Sequence, residues 1–120
     1  MSLSGNTRAL LCAAPLLALL AGCAPHPATG NWTTATEPAS GFNRLNVTYE
    51  GQALLFEVGE EKAGRHCFWG GESAQSIALT CKPASNLDTE ERYRLIVAAD
   101  GTATLHGADA VLARFSRPAP

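Results

Sequence analysis

The chain has no run of like charge. Nine Lys and Arg stand against eleven Asp and Glu, a formal net charge of −2, with no basic stripe along any segment. Nucleic-acid binding needs such a footprint, and adhesion to anionic lipid needs clustered cations, so both are disfavoured. No Gly-rich phosphate loop, no His-Glu-x-x-His and no Cys-x-x-Cys occurs. The short motifs that carry nucleotide, zinc-hydrolase and dithiol chemistry are therefore missing. A long apolar run is missing too. The longest, Ala9 to Leu20, has about a dozen residues, whereas a spanning helix needs roughly 20.

That run has another reading. Polar residues with one cation, Arg8, precede it, and small residues follow it. A charged start, a short apolar middle and a small-residue ending make a secretory signal peptide. An N-terminal core helix would need a polar face, and Ala9 to Leu20 has none.

The segment ends in Leu20-Ala21-Gly22-Cys23, which resembles the lipobox of bacterial lipoproteins. The resemblance implies cleavage before Cys23, removing residues 1–22 as signal peptide. It also implies a diacylglycerol on the Cys23 thiol and a third acyl chain (palmitate or similar) on the new amino group. One acyl chain holds a protein only marginally to a membrane, and more than one holds it stably. Ala24 rather than Asp after the cysteine implies sorting to the outer membrane, with the domain facing the periplasm. The alternative is a secreted protein cut nearby with a free Cys23, a state poorly kept in oxidising compartments.

Removing Arg8 from the nine basic residues leaves eight against eleven acidic ones, a net charge near −3. Residues 23–30 read as an acylated cysteine and an extended, charge-free tether, Ala24 to Gly30. Residues 31–118 read as one small domain, too short for a second core. Cys12 leaves with the signal peptide and Cys23 is acylated. Cys67 and Cys81 remain, and an oxidising compartment makes them a disulfide.

Strand signals dominate. In "RLNVTYEGQALLFEV", Leu45, Val47 and Tyr49 alternate with polar residues. A two-residue turn at Glu50-Gly51 sets Val47 opposite Leu54 and Leu45 opposite Phe56. In "RYRLIVAADGTATLHG", a three-residue loop, Ala99 to Gly101, sets Leu95 opposite Leu105. Cys67 and Trp69 share a face, as do Ile77, Leu79 and Cys81. "WGGES" supplies the turn between those strands. "KPASNLDTEE" is the long loop, with a helical turn in "LDTEER". "NWTTATE" opens the domain and "AVLARFSR" closes it. About eight short, regularly spaced strands make an all-β antiparallel barrel or sandwich. Short connections favour an up-and-down barrel, and short strands favour a filled interior.

Few residues then remain for chemistry. His26 falls in the tether, while His66 and His106 fall out of phase with the apolar residues and face solvent. Neighbouring strand residues point to opposite faces, so His66 cannot serve Cys67 as a base. His66 and His106 could share a metal only on neighbouring strands. We expect no catalytic residue, no cofactor and no metal ligand set. What remains is binding: a membrane through Cys23, and a protein partner through surface residues. Phe68, Ile96 and Leu112 fall on the outward phase.

Gly30-Asn31-Trp32 resembles the Gly-x-Trp that opens the first strand of lipocalin-like (calycin) barrels. The resemblance implies that Trp32 closes the barrel floor. Small periplasmic inhibitors of serralysin-type metalloproteases carry that motif and one disulfide, and they imply an inhibitory N-terminal segment. Their first cysteine lies nearer the motif than Cys67 lies to Trp32, and here that segment would be held at Cys23. Anchored inhibitors of C-type lysozyme resemble the chain in general form only. Their Ser-Gly-x-x-Tyr segment is not matched, since Ser40-Gly41 is followed by Phe42 and Asn43. The competing reading is an accessory lipoprotein of an envelope assembly.

Overall fold

The structure, a computed structural model, describes residues 24–36 and 41–118. The signal segment and Cys23 lie outside the described residues. Eight strands follow in order: β1 (Gly30–Thr34), β2 (Phe42–Val47), β3 (Gln52–Glu57), β4 (Arg65–Gly71), β5 (Ser76–Pro83), β6 (Glu91–Val97), β7 (Ala103–His106) and β8 (Val111–Ser116). Each pairs antiparallel with the next. β8 then returns to β1, with Thr33 opposite Ser116 and Thr34 opposite Phe115, and the sheet closes into a barrel.

An eight-stranded barrel is just wide enough for side chains to fill. Alternate residues of each strand turn inward, and these fill it. Trp32, Leu45, Leu55, Ile77, Leu79, Leu95, Leu105 and Phe115 are each at most 2 % exposed. Each such side chain contributes about 1.5–3 kcal/mol by leaving water. Cys67 and Cys81 are direct cross-strand partners on β4 and β5, with Cα atoms 4.0 Å apart, and they are bonded. The bridge lies inside the apolar set, since both residues are buried.

The second hairpin has the expected register. The Ala98 N–H donates to Thr102 O at 2.8 Å, Gly101 takes φ 88°, and Leu95 faces Leu105. The first hairpin departs from expectation by one residue. The Thr48 N–H donates to Gln52 O at 2.9 Å, which leaves Tyr49, Glu50 and Gly51 in a three-residue loop. Val47 therefore faces Ala53, not Leu54, and Leu45 faces Leu55, not Phe56. A type I′ turn at Glu50-Gly51 would need positive φ at both residues. Only the glycine takes it, at 90°. The slip buries Leu55 and turns Leu54 and Phe56 outward, where the Arg44 guanidinium lies 4.1 Å from the Phe56 ring centre. Tyr49 leaves the inward set and stands 72 % exposed at the hairpin tip.

Two connections also differ from expectation. Gly70 and Gly71 continue β4 opposite Ala78 and Ile77, and the chain reverses at Glu72–Gln75. There Ser73 Oγ accepts from the N–H groups of Gln75 and Ser76, so a hydroxyl organises the turn. The segment after Pro83 holds turns rather than a helical turn. Thr89 N–H donates to Asn86 O, and Asp88 N–H to the Asn86 side chain.

Candidate functional site

The barrel has two unlike ends. At one end the N-terminal segment folds across the opening. His26 donates from Nε2 to Ser73 O at 2.8 Å and accepts the Ala28 N–H on Nδ1 at 3.0 Å. A carbonyl can only accept and an amide N–H can only donate, so these bonds select the tautomer with its proton on Nε2. The ring also meets Trp69 edge-on, centroids 5.9 Å apart. Trp69 in turn donates from Nε1 to Thr48 O at 2.8 Å. Ala28 is fully buried. The packed domain thus begins at His26, and the seven-residue tether expected from Ala24 to Gly30 shortens to Ala24-Pro25.

Trp32 lies beneath this segment. Its Nε1 donates to Ala28 O at 2.8 Å, which satisfies the one polar atom of the ring. Arg117 covers the other side, with Cζ 3.7 Å from the ring centre. The same guanidinium donates to Thr29 O at 2.8 Å and to Pro27 O at 2.6 Å. Among the described residues no carboxylate pairs with it, and burial pulls it below its ordinary pKa. Arg117 therefore acts as a clamp, tying the segment that follows β8 to the segment that precedes β1.

The opposite end carries an ionic cluster on inward positions of β2, β3, β4 and β6. Arg65 donates from Nε to Glu91 Oε1 at 2.7 Å and from Nη1 to Glu57 Oε1. The Tyr93 hydroxyl donates to the same Glu91 oxygen at 2.9 Å. Phe42 packs edge-on to Tyr93 and beneath the Arg65 guanidinium. The Arg65 hydrogen bond holds the Glu91 carboxyl below its ordinary value. Burial, then the Glu91 carboxylate, push the Tyr93 phenol up. The cluster thus keeps Arg65 and Glu91 ionised and Tyr93 neutral, which suits a polar lid over an apolar core.

The outer wall supplies the apolar surface. Phe68 on β4 is 69 % exposed and Leu87, in the loop after β5, is 64 % exposed. With Leu54, His66, Lys82 and Glu90 they line a groove of about 500 Å³ over β3, β4 and β5. Ile96 and Leu112 face outward as expected, but on β6 and β8. The three outward apolar residues thus do not form one patch, and Phe68 pairs instead with Leu54 and Leu87.

The sequence-derived residues fall as follows. Trp32 is in the core at the closed end, the Cys67–Cys81 bridge is formed, and Cys23 is outside the described residues. His66 is exposed on the face opposite Cys67. His106 bonds Thr104 Oγ1 at 2.9 Å, and β5 and β6 separate its strand from that of His66. Sequence reasoning missed the Arg117 clamp and the Arg65 cluster. Arg65 was legible in part, since it shares the inward phase of Cys67 and Trp69. Nothing local in the sequence marks Arg117, whose partners lie at the other end of the chain.

Comparison with known proteins adds no relative: no family model, no curated protein and no solved structure matches the chain.

Proposed function

We propose that this chain is an outer-membrane lipoprotein, acylated at Cys23, whose barrel is a protein-binding module facing the periplasm. The observation that carries the binding role is where the apolar surface lies. The barrel interior is filled by its own side chains, while Phe68, Leu54 and Leu87 line a groove on the outer wall. A filled barrel acts through its surface, and exposed apolar residues set among polar ones suit a protein contact.

The lipocalin-like resemblance gains support from Trp32 at the closed end. Inhibition through a free N-terminal segment does not, because His26, Pro27 and Thr29 are all held down. A hydrolase inhibitor of this form would act through the groove or the ionic end. The alternative is an accessory subunit of an envelope assembly that uses the same groove without inhibiting anything.

Affinity capture from envelope extract with the domain and with Phe68→Ser tests the binding role. One partner retained by the parent and lost by the variant supports it. Equal capture by both removes the groove from the reading. Assays against a serralysin-type protease and a C-type lysozyme, with the domain in excess, then separate inhibitor from accessory subunit.

A further inference from the structure

The short link between Cys23 and the barrel has a geometric consequence. His26 is pinned to Ser73 and Trp69, so only Ala24 and Pro25 separate the packed domain from Cys23. A chain of three steps reaches about 10 Å at full extension. A seven-residue tether, with eight such steps, would have reached about 28 Å and left the domain free to tumble. With acyl chains on Cys23, the closed end of the barrel cannot leave the bilayer surface.

That same end carries the tip of the β2–β3 hairpin. The contacts connect them directly: His26 packs on Trp69, and Trp69 bonds Thr48, the residue before Tyr49. Among the described residues Tyr49 is the most exposed large hydrophobic side chain, at 72 %. Its loop is fixed at Gly51, whose carbonyl accepts the Trp69 N–H at 2.9 Å. Tyrosine favours the headgroup layer, where an apolar ring and a polar hydroxyl are both accommodated. The same tip carries Glu50 and the β6–β7 tip carries Asp100, so attraction to anionic headgroups is not what holds this end.

We propose that Tyr49 is a second, non-covalent contact with the lipid surface, and that it fixes the barrel with its closed end on the membrane. The partner is the phospholipid headgroup layer itself. The strands then stand off the surface, and the Glu57–Arg65–Glu91 end lies about 20 Å further out, given six to eight residues in each of β2 to β6. The groove at Phe68 and Leu87 opens sideways and outward, within reach of a periplasmic partner. This orientation rests on the acylation of Cys23.

The test uses the full chain matured in a Gram-negative host, purified in detergent and reconstituted into phosphatidylethanolamine/phosphatidylglycerol vesicles with brominated acyl chains. Tyr49→Trp and Leu87→Trp each add an indole at an exposed site, one at each end. Intact mass first reports whether the chain begins at an acylated Cys23. The emission added by Tyr49→Trp should be largely lost in brominated vesicles, and that added by Leu87→Trp should be retained. An acylated protein in which the Tyr49→Trp emission is retained, or the Leu87→Trp emission is lost as much, overturns the orientation alone. A mass without acyl chains overturns the anchor and the orientation together.

Discussion

Arg117→Ala is the most informative single substitution in the domain. Arg117 makes three contacts at once: the Trp32 face, Thr29 O and Pro27 O. A hydrogen bond from a charged donor contributes about 1.5–3 kcal/mol when buried. Thr29 O is only partly buried and Pro27 O is exposed, so water replaces much of each bond in the variant. A cation over an indole adds about 0.5–2 kcal/mol. After the discount for solvent, a net loss of about 2 kcal/mol is expected, toward the upper end of what single substitutions do. For a domain of this size that lowers Tm by about 8–16 °C. Thermal unfolding followed by tryptophan fluorescence reads it out, and hydrogen exchange locates it at Ala28 to Trp32. Arg117→Lys keeps the charge but lacks the planar fork, so it should recover less than half of the loss. An unchanged Tm in Arg117→Ala, or full recovery by lysine, would refute the clamp.

Three further outcomes are expected. Cys67→Ser or Cys81→Ser opens a loop with a sequence separation of 14, worth about 3 kcal/mol by the chain-entropy model. A urea midpoint that does not move shows that the bridge adds no stability. Glu91 has a lowered carboxyl pKa in the fold, so its contribution is complete above the ordinary value of 4.5 and drains away as pH falls through the folded value. Glu91→Gln should therefore be less stable than the parent at neutral pH and nearly equal to it in strong acid, below the folded pKa. A gap that stays constant from neutral to acid would show that the ion pair with Arg65 does not contribute. Phe68→Ser changes an exposed side chain, so its unfolding free energy should stay within about 0.5 kcal/mol of the parent, and a larger loss in urea titration would show that Phe68 packs as part of the fold.

Strand number and the all-β antiparallel class were legible in the sequence because each rests on local alternation. The disulfide followed from the compartment and from the two cysteines left over. Closure, left open between barrel and sandwich, depends on the distant pairing of β1 with β8. Val47, Leu95 and Ile77 each sit among residues that repeat with period two, and one inward set follows. The β2–β3 register was not legible in the same way. "ALLFEV" has apolar residues on both phases, so periodicity allowed either Leu54 or Leu55 in the core. The turn decided it, and the three-residue loop ending in glycine at Gly101 was equally available at Gly51. The closed end was illegible for a different reason. Pro-rich composition in "APHPATG" suggested an extended tether, but His26 and Arg117 contribute hydrogen bonds across 47 and 88 residues of sequence. No spacing rule anticipates contacts at such separations.

The proposed role stands on the groove around Phe68, and one comparison tests it most directly. Parent protein and Phe68→Ser are expressed at equal level, matured in the envelope, and captured with their bound partners under identical conditions. A single protein that accompanies the parent and is absent from the equally stable variant is the expected result. The same partner at the same yield with both, or none with either, would contradict a binding module that acts through its outer wall.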